Sequence, residues 1–83
     1  MNLTRFPCVC CGYLTLTEPP PGTYAVCPVC YWEDDEEQAD NPMLERGANR
    51  VSLVEARSNF GKCGAATAET TQFVRKPLPS EFP

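Results

Sequence analysis

Cysteine spacing constrains this chain more than any other feature. Two residues separate Cys8 from Cys11 and two separate Cys27 from Cys30, with fifteen between the pairs, so the pattern is C-x2-C-x15-C-x2-C. That spacing lies in the window for a four-cysteine zinc site. Two residues between paired cysteines let a tight turn aim both thiolates at one tetrahedral ion, at metal–sulfur distances of about 2.3 Å, while turn amides donate to the sulfurs. Gly12 directly after the first pair permits left-handed backbone, and Pro28 fixes φ inside the second. Tyr31 stands where a second glycine is expected. The chain has no histidine, so any zinc site must use cysteine, supplemented at most by carboxylate. The expected ligands are Cys8, Cys11, Cys27 and Cys30, with one zinc per chain as cofactor. Four thiolates leave no open coordination position, which makes the site structural rather than catalytic.

Other uses of paired cysteines compete with zinc. Disulfides need an oxidising compartment, yet Met1 to Pro7 contains no apolar signal-peptide core, which points to a reducing cytoplasm. Redox-active CxxC motifs are embedded in a βαβ pattern, and nothing upstream of Cys8 has room for one. Iron is the nearer competitor, because Cys11-Gly12-Tyr13 and Cys27-Pro28-Val29-Cys30 resemble rubredoxin turns. The two pairs stand closer together than in that family, so iron ranks below zinc.

Composition makes a metal necessary as well as permitted. Of 83 residues only sixteen are Leu, Val or Phe, and none is Ile, a level at which a chain struggles to form a core. A structural zinc adds on the order of 10 kcal/mol to the folding of small modules, comparable to the whole stability of many domains. Net charge is −4, and it is uneven. Residues 1–40 carry seven acids against Arg5, and residues 41–83 carry four acids against six bases. Nucleic-acid binding therefore starts at a disadvantage. No apolar run is long enough to cross a membrane.

The expected fold is a small, metal-stabilised α+β domain spanning residues 1–83. Tyr13 to Thr17 alternates with Leu14 and Leu16 on one face, Thr23 to Val26 repeats the pattern with Tyr24 and Val26 inward, and Glu18-Pro19-Pro20-Pro21-Gly22 turns between them. This predicts a zinc-ribbon-like hairpin over 8–32 that leads from one CxxC turn to the other. The five acids Glu33 to Glu37 open an acidic, irregular connection over 33–50 and read as a solvated segment, with one helical turn at most; Trp32 reads as a packing residue. Ser52-Leu53-Val54-Glu55 is a capping box, which predicts a helix over 52–61 with Leu53, Ala56 and Phe60 on one face and Gly61 as its stop. Residues 65–74 form a possible second short helix. The Pro-rich tail 75–83 is extended, either a strap across the domain or disordered.

Several stretches together resemble the cysteine-rich CPCC family of small bacterial proteins. They are Cys8-Val9-Cys10-Cys11-Gly12-Tyr13-Leu14-Thr15-Leu16, Cys27-Pro28-Val29-Cys30-Tyr31-Trp32-Glu33-Asp34-Asp35, Gly47 to Leu53 with Glu55-Ala56-Arg57 and Asn59-Phe60, and Val74 to Leu78. Val9 departs from the family's proline, which loosens the first turn and removes no ligand. The resemblance implies bacterial origin and metal binding and carries no established activity.

Three readings of function follow. The leading one is a zinc-stabilised module that presents its acidic ribbon edge or short helices to a protein partner. The second is thiol chemistry at Cys10 or Cys63, against which both read as small buried apolar residues. The third is a nucleic-acid-binding ribbon, which needs Arg46, Arg50, Arg57, Lys62, Arg75 and Lys76 to form one patch against the global charge. No catalytic residue is assigned.

Overall fold

The computed structural model describes residues 4–83, so Met1 to Leu3, the start of the stretch read for a signal peptide, lie outside it. Its order is β1 (Phe6–Pro7), β2 (Leu14–Leu16), α1 (Glu36–Asp40), α2 (Leu53–Cys63) and two 3-10 segments, Ala68–Phe73 and Pro79–Glu81.

β1 and β2 pair antiparallel, with Phe6 opposite Leu16 and Pro7 opposite Leu14 across an irregular register. This hairpin closes around the first cysteine turn. The expected hairpin between the turns does not form, because Thr23 to Val26 pairs within its own turn instead: Val26 bridges Glu33, the Tyr24 amide donates to Asp34 O at 3.0 Å, and the Asp34 amide donates to Ala25 O at 3.0 Å. The physical reason lies between the limbs, where Pro19, Pro20 and Pro21 supply no ladder donors. Tyr24 also breaks the extended run with φ 57°. Leu16 is buried, as alternation predicts, whereas Tyr24 and Val26 face solvent at 51% and 44% exposure rather than the interior.

The acidic run departs further from a solvated segment. Asp34 and Asp35 are buried. Asp34 Oδ2 accepts from the amide (3.0 Å) and hydroxyl (2.8 Å) of Thr23, fixing the outer limb of the second turn. Asp35 caps α1: its Oδ1 accepts from the amides of Glu37 and Gln38, and its Oδ2 from that of Ala48. The Ala48 bond first, then those from Gln38 and Glu37, hold the Asp35 carboxyl below its ordinary pKa. Only Glu36 and Glu37 of the five acids are exposed.

The α2 helix starts as its sequence requires. Ser52 Oγ accepts from the Glu55 amide at 3.1 Å, and Leu53 and Ala56 are buried on the inner face with Phe60 partly buried beside them. It does not stop at Gly61. The helix runs to Cys63 and ends at Gly64, whose φ of 80° is the left-handed cap and whose amide donates to Phe60 O. Gly61 costs helix propensity of about 1 kcal/mol without breaking the hydrogen-bond ladder, whereas a cap needs positive φ. Ser52→Ala is expected to destabilise the protein by about 1 kcal/mol in chemical denaturation, with metal content unchanged.

The possible second helix is a 3-10 segment. Thr70 and Thr71 hydroxyls donate to carbonyls three residues back, at Thr67 and Ala68, and favour the tighter winding. The tail is a strap: the Arg75 amide donates to Pro28 O, and the Phe82 ring sits edge-on to Tyr13 at 5.2 Å. Arg75 pairs bidentately with Glu81, both contacts at 2.8 Å. With the Leu78 amide, that guanidinium pulls the Glu81 carboxyl down to about 2. Among the described residues no helix is long and apolar enough to cross a membrane.

Candidate metal centre

The two cysteine turns are built to one plan. In the first, the Cys8 amide donates to Tyr13 O and the Gly12 amide to Cys8 O; in the second, the Cys27 amide donates to Trp32 O and the Tyr31 amide to Cys27 O. Each turn thus closes on its own cysteine and points two sulfurs the same way.

The sulfurs of Cys8, Cys11, Cys27 and Cys30 all lie within 4.8 Å of one another. Cys8 and Cys30 are 3.6 Å apart, and Cys11 and Cys27 are 3.7 Å apart. A tetrahedron with metal–sulfur bonds of about 2.3 Å has sulfur–sulfur edges of about 3.8 Å, so the spacing fits an ion at the centre. All six cysteines are free thiols. Cys8, Cys27 and Cys30 are buried and Cys11 partly so, and they share one core with Val29, Trp32, Leu53, Ala56 and Ala66. The core of this chain is the wall of its sulfur cluster.

Contacts the sequence did not reveal hold the turns in place. The Thr15 hydroxyl lies 3.1 Å from Cys27 Sγ; toward a thiolate only the hydroxyl can donate. Thr15 alternates with Leu14 and Leu16, and that face was the one available signal. Arg57 on α2 donates through Nε and Nη2 to Val9 O at 3.0 and 2.8 Å, tying the helix to the first turn. The Ala66 amide donates to Cys30 O at 2.7 Å.

The sulfurs differ in proton affinity. The Cys27 thiol is pulled down, chiefly by its hydrogen bond with Cys11, then by those with Cys30 and Cys8 and, more weakly, by Thr15. Cys8 is also lowered, first through Cys11. The same sharing pushes Cys11 up, led by Cys27, and Cys30 up, led by its contact with Cys10.

The other two thiols separate. Cys10 stands outside the four-sulfur set and is buried in the core. Cys63, expected to be a small buried apolar residue, is instead the last residue of α2 and exposed, its Sγ 3.7 Å from Ala65 O. It is not a buried apolar residue, because α2 continues past Gly61 and leaves Cys63 exposed in its last turn. A thiol reagent added to the native metal-loaded protein is expected to modify Cys63 quickly, Cys10 slowly and the other four only after chelation; rapid loss of two or more thiols would contradict this burial pattern.

No curated protein matches this sequence significantly. The model of the family described as Cysteine-rich CPCC matches residues 6–81, which takes in both cysteine turns, α2 and the strap. The chain belongs to the cysteine-rich CPCC family.

Proposed function

We propose that Cys8, Cys11, Cys27 and Cys30 hold one zinc ion as a structural site, and that the chain so stabilised is a module for binding another protein. The observation that carries the metal reading is the convergence of four sulfurs within 4.8 Å of one another inside the only sizeable core among the described residues. An ion there supplies a cross-link among elements with few other apolar contacts, and the four thiolates saturate it, leaving no position for substrate. A reducing compartment such as a bacterial cytoplasm suits six free thiols. Elemental analysis of purified protein should return one zinc per chain; an absorbing iron spectrum would move the site to iron.

The interaction reading rests on what surrounds that closed site: exposed aromatic and aliphatic side chains on a chain of net charge −4. Affinity capture from native lysate, with and without chelator, tests it, since a partner held by a metal-built surface should be lost on chelation. Nucleic acid is the weaker reading for a local reason. Of the six bases that a patch would need, Arg57 is committed to Val9 O and Arg75 to Glu81.

A further inference from the structure

The two cysteine turns share a plan but differ at one position. Gly12 closes the first with φ 81°, and Tyr31 closes the second with φ 70°. Left-handed backbone is costless for glycine and strained for tyrosine. Burial does not compensate for the strain, because Tyr31 remains 39% exposed. Its ring lies against that of Phe73, centroids 5.4 Å apart and planes tilted 31°, and Phe73 is itself 58% exposed. Strain kept where it gains no core contact points to the surface as its reason.

That surface is concave. An open groove of about 660 Å³ runs between the second cysteine turn, the connection before α2 and the 3-10 segment; Val26, Tyr31, Glu33, Arg50, Glu69 and Phe73 line it. Among the described residues the ion pair is Arg75 with Glu81, so the carboxylates of Glu33 and Glu69 and the guanidinium of Arg50 form none. Two carboxylates against one guanidinium leave the groove net negative.

We propose that this groove docks an extended segment of a partner protein carrying an arginine or lysine next to an apolar side chain. The cation meets the aromatic pair and the carboxylates of Glu33 or Glu69, and the apolar neighbour covers Val26. A stacked nucleic-acid base would also suit the rings, but its phosphates would face the two carboxylates. The proposal rests on the interaction reading above and narrows it to one face and one partner chemistry.

The test is selection of a random twelve-residue peptide library displayed on phage against the immobilised, metal-loaded full chain. Enriched peptides should carry Arg or Lys beside an aliphatic or aromatic residue. Their binding should fall about ten-fold on Phe73→Ala and on Tyr31→Gly, and the double change Glu33→Gln, Glu69→Gln should weaken it and reduce its salt dependence. Tyr31→Gly guards against simple misfolding: glycine suits that backbone, so the variant should melt at or above the parent's temperature while losing the peptide. The groove assignment is overturned by enrichment of acidic peptides, by no enrichment, by binding indifferent to Tyr31→Gly and Phe73→Ala, by displacement of peptide with an oligonucleotide, or by self-association through these residues. A lysate partner that Tyr31→Gly still captures would refute the groove and leave the interaction reading standing. A parent chain that captures no lysate partner and enriches no peptide would refute both.

Discussion

Cys27→Ser is expected to release the metal and unfold most of the protein. Cys27 is fully buried, its amide and carbonyl both close the second turn, and its sulfur faces Cys11 and the Thr15 hydroxyl. A structural zinc contributes on the order of 10 kcal/mol to small modules, and domain stabilities are about 5–15 kcal/mol, so losing the ion removes most or all of the folding free energy. Cys63→Ser, exposed and outside the cluster, should keep both metal and fold. Circular dichroism with elemental analysis of the two variants provides the check. A Cys27→Ser protein that retained one metal and its melting transition would require the ligand set to be redrawn.

The same site sets a pH dependence. Cys11 and Cys30 are the sulfurs whose proton affinity is raised, so metal must displace their protons, and affinity should rise with pH. Calorimetry in buffers of different ionisation enthalpy would read the protons released. The Thr15 hydroxyl stabilises charge on Cys27 without touching the ion. Its loss in Thr15→Val should weaken metal retention by about 10–100-fold, the usual scale for such supporting contacts, with the fold intact at saturating metal.

What could be read from the sequence was local. Two residues between cysteines determine a turn, a serine three residues before a glutamate determines a helix start, and both were realised at Cys8, Cys27 and Ser52. Strand partners were not legible, since alternation in Thr23 to Val26 fits pairing with Tyr13 to Thr17 as well as it fits folding back on Glu33. Proline placement alone favoured the second. Glu33 to Glu37 look alike as residues, and only tertiary partners, Thr23 for Asp34 and Ala48 for Asp35, divide buried from exposed. Gly61 and Gly64 are both plausible stops by type, and the backbone angle at Gly64 decides between them. Arg57 reaching Val9 spans 48 positions, a separation at which residue type carries no information about partner.

Gln38→Leu should be strongly destabilising, although it touches no cysteine. Gln38 is fully buried in α1, where a polar amide is costly unless satisfied, and here it is: Nε2 donates to the carbonyls of Leu44, Asn49 and Val51, and Oε1 accepts from the amide and side chain of Asn49. Asn49 in turn bonds both backbone groups of Glu33, so one glutamine links α1, the irregular connection and the outer limb of the second cysteine turn. Leucine has similar volume and leaves no cavity, which isolates the polar contribution. Each buried group left unpartnered costs about 1–3 kcal/mol. Water can reach some of the five, since the connection is partly exposed, so the net loss should be about 3–5 kcal/mol, or roughly 15 °C or more in melting temperature for a domain this size. Glu37→Leu, one residue earlier and exposed, should stay within about 0.5 kcal/mol. Metal stoichiometry should survive in Gln38→Leu, because no sulfur contact is removed, while amide exchange at Glu33 and Ala48 should accelerate. A Gln38→Leu protein melting with the parent would mean that the connection over 41–51 is held by something other than this amide.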